Sequence, residues 1–533
     1  MTSPISLNIG GRSYQIKKWL PISAPRTHFV CTLNPSRVLE AGKEHLRRLV
    51  MDGMNIVRIN FSHVLTDKDR AGVVLLLNMI REVEEELCRP IGIMLDTKGP
   101  EFRVQRYEGS LEMRKGEKIT LSPGEGECTK DKLFMRVPSG YSKLYDDLKL
   151  AHKNGNLVHI YIEDMKIALK MEDVLPGEGI VCTIERGGNL KGNKSINFSG
   201  CRLEVIAITK EDYADIDFGL RDGRFHYLAR SFTTSPLVVS SIDEYMKAQG
   251  ESPEPQMLQI AKPEEEKGMI DNLKGVISAT AAVMIPRGDA RAIGGPEKLP
   301  LLQARLMEEA RRQGKPGILA TDVLGQMETS PLPTRAESDN IFTGIARDRV
   351  SMVMFSGETA TGDHPNLVVQ TAVKHALVAE EYTEFENFFR GKLRTIFNEG
   401  ETGLIEHQSA DRYTASLVLG AIENAERLPG FTAFVPYTLS GHSANLAFGF
   451  YPKVPVVAIT PTERAFYRML LYRGVYPVLV DDVPNTMDGF QSFLKALVQY
   501  LGVAQVGQSI TTTFASGGSG KDRTDTSQTI EVR

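Results

Sequence analysis

The chain has 533 residues, 41% of them apolar and 24% charged, and a formal net charge of −4. At ~100–200 residues per domain, this length implies several soluble globular domains. The mild acidic balance argues against a general nucleic-acid or membrane-surface binder, which would carry a basic excess, and no apolar run is long enough to span a bilayer.

The five cysteines, Cys31, Cys88, Cys128, Cys182 and Cys201, include no Cys-x-x-Cys pair. A disulfide framework or zinc ribbon is therefore not expected; a reducing compartment fits, and a cytoplasmic protein is the expectation. The first twenty-five residues contain no Asp or Glu and carry Arg12, Lys17 and Lys18. One arginine without an amphipathic repeat reads as a plain N-terminal extension, residues 1–25, rather than a transit peptide.

From residue 26 onward, short apolar runs alternate with helical patterns, the signature of a parallel α/β sheet or barrel. Eight strands are expected: Phe29–Leu33, Asn55–Phe61, Ile91–Asp96, His226–Phe232, Met257–Lys262, Ala281–Pro286, Gly317–Thr321 and Ser351–Ser356. Helical patterns such as Arg37–Met51, Leu299–Gln313 and Leu367–Tyr382 separate them. Eight β–α repeats predict a TIM (β/α)8 barrel over residues 26–103 and 202–382, with its active site at the C-terminal ends of the strands. Between Arg103 and Gly200, roughly a hundred residues intervene, too many for a loop. There Lys118–Ser122, Leu157–Ile162 and Ile180–Arg186 read as strands and Gly187-Gly188-Asn189 as a turn. Residues 104–201 are thus expected to form a small inserted β domain, barrel-like and placed as a lid.

The pattern changes again after residue 382, and residues 383–533 read as a separate α/β domain. It contains helix Ala415–Arg427, strands Thr432–Pro436, Val456–Thr460 and Val475–Val480, and helix Glu463–Tyr472 between an N-cap at Thr462 and a stop at Gly474. Ala515–Ser527 is rich in Gly, Ser, Asp and Thr and reads as a loop, followed by an edge strand Thr529–Arg533.

The candidate chemistry gathers at strand ends. Arg58, Asn60 and Ser62 recur at spacing two and share one face of an otherwise apolar strand. The third strand exits through Asp96-Thr97-Lys98-Gly99-Pro100-Glu101, whose Asp96, Thr97 and Glu101 supply oxygen ligands beside that cluster, a candidate cation site. The fifth ends in Lys262-Pro263-Glu264 and the sixth leads into Arg287-Gly288-Asp289. Carboxylates on adjacent strand ends, Glu264 and Asp289, can share a magnesium ion completed by water and substrate oxygens. Thr321 ends the seventh strand, and Ser356-Gly357-Glu358-Thr359 the eighth.

Leu95–Arg103 (LDTKGPEFR) and Gly53–His63 (GMNIVRINFSH) resemble signature segments of the pyruvate kinase family. Ala261–Glu264, Met284–Asp289 (MIPRGD), Pro333–Glu337 (PTRAE), Ser356–Pro365 (SGETATGDHP) and Tyr472–Leu479 (YRGVYPVL) are similar to further family segments. The domain order agrees, and the resemblance runs from about Arg26 to the C-terminus, weakest in the lid and after Asp482.

The resemblance implies transfer of a phosphoryl group from phosphoenolpyruvate to ADP, giving pyruvate and ATP in glycolysis. It implies Mg2+ on Glu264 and Asp289, and K+ on Asn60, Ser62, Asp96 and Thr97. Lys262 and Arg58 would face the transferring phosphoryl group. Thr321 and the amides of Gly288 and Asp289 would cradle the carboxylate and enolate, and Thr321 with Ser356 would belong to the protonating water network. His63, Arg103 and Lys194 match positions near the nucleotide. It also implies a homotetramer and a sugar-phosphate effector on Thr438, Ser440, Gly441 and Ser443, where hydroxyls and free N–H groups at a helix start offer an anion site. Gly517-Gly518-Ser519-Gly520, with Lys521 and Arg523, is similar to the family's second effector loop.

The chain also departs from the family. Pro263 stands where a barrel strand would lose a ladder donor. Thr234 falls where an arginine is usual and Met165 where a glycine is usual. Two other readings remain open: a catalytically impaired pyruvate kinase-like protein, and another magnesium-dependent barrel enzyme that handles an enolate.

Overall fold

The computed structural model describes residues 5–22, 25–138, 141–163, 165–203, 208–290, 297–382, 409–515 and 524–533, without the side chains of residues 289–290 and 409–412. Eight parallel strands close into a barrel: His28–Thr32, Met54–Asn60, Gly92–Asp96, Tyr227–Arg230, Leu258–Ala261, Ala282–Pro286, Gly317–Ala320 and Met352–Phe355. All eight expected strands are present, shifted by a residue or two at their ends. The expected helix Arg37–Met51 is two helices, Pro35–Ala41 and Lys43–Asp52, divided at Gly42, whose φ of 82° no other residue adopts as cheaply.

Side chains alternate across each strand. One set, including Val30, Ile56, Met94, Ile260 and Ile318, fills the barrel interior. The other, including Cys31, Val57, Leu95, Val283 and Leu319, packs against the surrounding helices. Thr32, Arg58, Asn60, Asp96 and Lys262 are in phase with the interior set and follow it at the C-terminal ends, so polar groups emerge where the apolar filling stops. Pro263 lies beyond the fifth strand, which ends at Ala261, so it removes no ladder bond. The backbone beside it is satisfied instead by Lys262 N–H to Arg230 O at 3.1 Å and Thr233 N–H to Lys262 O at 2.9 Å.

The insertion is itself a closed barrel of seven strands, among them Phe102–Val104, Lys118–Pro123, Gly179–Arg186 and Ser195–Ser199. Its core includes Leu121, Leu133, Ile160, Leu169 and Ile196. The expected turn at Gly187-Gly188-Asn189 is not one: Gly188–Lys191 is a strand that pairs antiparallel with Ser110–Met113, because a partner strand supplies the hydrogen bonds that a turn would have made locally.

In the C-terminal sheet the order is Ile5–Ile9, Arg12–Trp19, Val475–Val480, Val456–Thr460, Phe431–Phe434, Ser509–Phe514 and Thr526–Glu531. Residues 1–25 are therefore not a plain extension. Ile5–Ile9 and Arg12–Trp19 form an antiparallel hairpin that adds two strands to the sheet edge, with Arg12–Trp19 pairing antiparallel to Val475–Val480. Gly10 and Gly11, both at positive φ (59° and 82°), make its turn. Tyr14 and Ile16 are 5% and 1% exposed and join the core of Val478, Phe493 and Leu497. The last strand begins at Thr526 rather than Thr529 and pairs with Ser509–Phe514.

The N-terminal end of the barrel rests on this domain: Tyr227 Oη donates to Tyr467 O at 2.7 Å, and His28 Nδ1 lies 2.8 Å from Leu470 O. Among the described residues, no helix is long and apolar enough to cross a membrane.

Candidate active site

At the barrel mouth, the strand alternation brings Arg58, Asp96 and Lys262 together. Asp96, fully buried, receives Arg58 Nε on Oδ2 at 2.5 Å and Lys262 Nζ on Oδ1 at 3.0 Å. Arg58 also donates to Thr32 Oγ1 at 2.8 Å. Lys262 Nζ reaches Ser231 Oγ at 2.7 Å and Glu264 Oε1 at 3.1 Å. Glu264 Oε2 accepts the Phe232 N–H at 2.8 Å. The result is a buried chain of alternating charges, with the Lys262 ammonium between two carboxylates.

Burial alone would lower the Lys262 pKa, but Asp96 and Glu264 hold it well above the ordinary lysine value. Burial would likewise raise Asp96, and Arg58 with Lys262 keeps it below the usual carboxylate range. At neutral pH Lys262 is thus a fixed cation and not a proton donor.

Of the expected cation-site residues, Asn60 and Asp96 end neighbouring strands, Thr97 follows Asp96, and Ser62, expected on the strand face, lies instead in the turn Phe61–His63, because the strand stops at Asn60. Asn60 and Asp96 are register partners across the second and third strands. Asn60 Oδ1 accepts the Ser62 N–H at 3.1 Å, and Thr97 is buried, its carbonyl accepting Ser231 Oγ at 2.7 Å. Asp212 fixes the exit turn of the third strand: its Oδ1 accepts the Gly99 N–H at 2.9 Å while its Oδ2 accepts the Thr209 N–H at 2.9 Å in a capping box.

Thr321 and Asp322, past the seventh strand, hold positive φ values of 68° and 49°. For non-glycine residues such backbone is strained and persists only when its surroundings impose it. Arg287 imposes part of it, donating Nε to Ala320 O at 2.9 Å, another nitrogen to Thr321 O, and Nη1 to Asn340 Oδ1 at 2.7 Å. Glu358, 1% exposed, imposes the rest: Oε1 accepts the N–H groups of Val323 and Leu324 at 3.2 and 3.1 Å, and Oε2 that of Ser356 at 2.7 Å. Gly288 is buried at the start of a four-residue helix, Arg287–Ala290. Asp289 belongs to that helix, and its side chain lies outside the described residues.

A cleft of about 400 Å³ opens between the inserted barrel and the mouth, lined by Glu101, Phe102, Ser195, Phe232 and Glu264 among others. At its rim Arg103 pairs with Glu101 at 2.6 Å and donates to Asn193 O at 3.0 Å. His63 is exposed, and partial desolvation with the nearby Arg103 and Arg58 guanidiniums lowers its pKa. Lys194 is held on the lid by Glu163 at 2.9 Å, so among the described contacts it meets lid residues and not the barrel cluster. No group of three or more His, Cys, Asp or Glu side chains fit to hold a metal occurs among the described residues. Two carboxylates completed by substrate oxygens remain the donor set to consider.

In the C-terminal domain, Gly441 at φ 85° caps helix His442–Gly449. Thr438 Oγ1 accepts the Gly441 N–H at 3.0 Å, and Ser443 Oγ lies 2.8 Å from Thr524 Oγ1; both serines' neighbours differ, since Ser443 is buried and Ser440 exposed. Gly517-Gly518-Ser519-Gly520, Lys521 and Arg523 lie outside the described residues.

Sequence reasoning assigned no role to Asp212, Ser231, Arg287 or Glu358. Ser231 and Arg287 stood beside expected strand ends, which was the available signal. Glu358 also stood at an expected strand end, but its bonds to Val323 and Leu324, like that of Asp212 to Gly99, reach backbone far away in sequence and had no local signal.

A family model described as "Pyruvate kinase, barrel domain" matches residues 24–369, and one described as "Pyruvate kinase, alpha/beta domain" matches residues 415–530. A pyruvate kinase of Geobacillus stearothermophilus is 32% identical over 467 residues, covering 87% of this chain and 73% of that protein. One of Staphylococcus saprophyticus is 30% identical over 463 residues, covering 86% and 73%.

Proposed function

The chain belongs to the pyruvate kinase family, and we propose that it transfers a phosphoryl group from phosphoenolpyruvate to ADP at the barrel mouth. The observation that carries this reading is the buried Lys262 ammonium fixed between Asp96 and Glu264, with the Arg58 guanidinium on the same aspartate. A loose phosphoryl-transfer transition state asks little covalent chemistry of the protein; it asks for positive charge held in place before charge develops. Lys262 and Arg58 supply that charge, and their shared carboxylate keeps both from reorienting. Coupled detection of pyruvate from phosphoenolpyruvate and ADP tests the reading. No turnover with the purified chain would sink it in favour of an impaired relative.

Glu264 offers hard oxygen ligands and is immobilised by Phe232 N–H and Lys262, which suits magnesium better than a soft metal. With Asp289 it would hold the ion, whose charge, when bound, would neutralise the oxygens of the substrate carboxylate and enolate. Asn60 and Asp96, at register-paired strand ends, with Ser62 and Thr97 just beyond them, would offer an all-oxygen set suited to potassium. Thr321 and the Gly288 amide would orient the carboxylate, and the pinned turn around Thr321 keeps them in place. His63, Arg103 and Lys194 would meet the nucleotide across the cleft.

Glu101 sets a test of the monovalent ion. Glu101→Lys turns the Glu101–Arg103 pair into two like charges and places an ammonium near the cation cluster. The expected result is a weaker potassium requirement, at least tenfold lower stimulation in a potassium titration. Equal stimulation of both forms would remove the idea that charge at this position stands in for the ion.

The loop Thr438–Ser443 would bind the phosphate of a sugar-phosphate effector, with fructose 1,6-bisphosphate the leading candidate. Ser440→Glu places a carboxylate at its exposed position without disturbing the buried Ser443. It should abolish the effector's shift of the phosphoenolpyruvate saturation curve while basal turnover persists. A wild-type curve unmoved by any sugar phosphate would reduce the loop to a helix cap.

A further inference from the structure

At the end of the barrel opposite the mouth, a cavity of about 180 Å³ lies between the fifth and sixth strands and the C-terminal domain. Two domains bring three cations to its wall. Lys315 precedes the seventh barrel strand, and Arg464 and Arg468 stand four residues apart on helix Glu463–Met469, on one face. Arg464 is paired, to Glu254 at 2.9 Å. Arg468 makes no side-chain hydrogen bond or ion pair among the described residues, and Lys315 has only a carbonyl, Thr280 O at 2.6 Å. Neither Arg468 nor Lys315 has a carboxylate partner; Asp243, which also lines the cavity, is engaged by the Gln259 amide.

The same wall holds acceptors that lack donors. Gln259, 4% exposed, spends its amide nitrogen on Val239 O and Asp243 Oδ1 at 2.8 and 2.7 Å. Its Oε1 and the Oδ1 of Asn445 are buried without partners. Orphaned polar groups of either kind cost stability unless something satisfies them. A bare anion would answer the cations and leave the acceptors empty, and a neutral polyol would do the reverse.

We propose that this cavity binds a compact phosphate ester carrying hydroxyl groups, with the phosphoryl group on Arg468 and Lys315 and the hydroxyls donating to Gln259 and Asn445. A phosphoryl dianion matches two cations, and a guanidinium fork suits its oxygens. Desolvation and the neighbouring Arg468 lower the Lys315 pKa to about 8, a strain that an anion relieves. The site is distinct from the loop Thr438–Ser443, although it adjoins it: the Arg468 stem lies 3.8 Å from where a Cβ on Gly441 would stand, and Asn445 is on the helix that this loop opens. It also touches the fifth and sixth strands at the ends opposite those leading to Lys262 and Arg287. The inference does not depend on the activity proposed above.

Calorimetric titration of the full chain with glycerol 3-phosphate, inorganic phosphate and acetate tests it. Glycerol 3-phosphate should bind at least tenfold more tightly than inorganic phosphate, with acetate weakest. Arg468→Gln and, independently, Lys315→Gln should each weaken it at least tenfold, while Arg468→Lys and Ser440→Glu retain it. The barrel mouth is the same in every variant, so a loss in the glutamine variants reports this cavity, and thermal midpoints confirm folding. Unchanged affinity in both glutamine variants, a loss in Ser440→Glu instead, or inorganic phosphate binding as tightly as the ester would each overturn the proposal.

Discussion

Lys262→Met is expected to lower turnover by about 10²–10³-fold or more, the loss typical when one preorganised charge is removed from a water-excluded site. Substrate affinity should change far less, because the ammonium's contribution grows as charge develops on the transferring group. The surroundings predict why the variant still folds: Asp96 keeps its bond to Arg58, and Glu264, though it loses its ion pair with Lys262, keeps the Phe232 N–H. Lys262→Arg is the companion variant. It retains the charge but not the reach to both Asp96 and Glu264, and should fall between the two. The measurement is kcat and the half-saturating phosphoenolpyruvate concentration, beside a thermal midpoint. Near-normal kcat in Lys262→Met would take this residue out of the mechanism, whatever the family resemblance.

Glu358→Ala should cost more stability than most substitutions at the site. Three backbone donors, Val323, Leu324 and Ser356, lose their only side-chain acceptor inside a region where Glu358 is 1% exposed. At ~1–3 kcal/mol for each buried donor left unsatisfied, partly offset by water entering, the loss should be about 3–5 kcal/mol. Turnover should fall at least tenfold as well, since the strained backbone at Thr321 and Asp322 would relax away from its held geometry. Glu358→Gln keeps one acceptor oxygen and should lose less of both. Urea unfolding followed by fluorescence and by activity reads the two effects. A change below about 1 kcal/mol with intact kcat would mean that the turn holds itself, and that Arg287 alone suffices.

Much of the site could be read before any coordinates, and the reason is geometric. Strand periodicity fixes which face a residue takes, so Arg58 and Asn60 could be placed on one face and Lys262 beside Glu264, whereas Ser62, expected on that same face, lies past the strand in the turn Phe61–His63. The polar residues stood out because they broke apolar strands. The hairpin at residues 5–19 carried an equally local signal, alternating Ile5, Leu7 and Ile9 with a Gly10-Gly11 turn, but its fate did not: nothing near it names Val475–Val480 as the strand it joins.

Composition, periodicity and segment order by themselves determined a β/α barrel interrupted by a β insertion and followed by an α/β domain, with polar groups at the strand ends, because each of these follows from residues close in sequence. Only the tertiary structure decided that Lys262 is locked between Asp96 and Glu264, that Glu358 and Arg287 hold the Thr321 turn, that Asp212 clasps Gly99, and that Arg468 meets Lys315 across a domain boundary. Those contacts join residues up to 166 positions apart, and a sequence states which groups exist without stating which of them burial will force together.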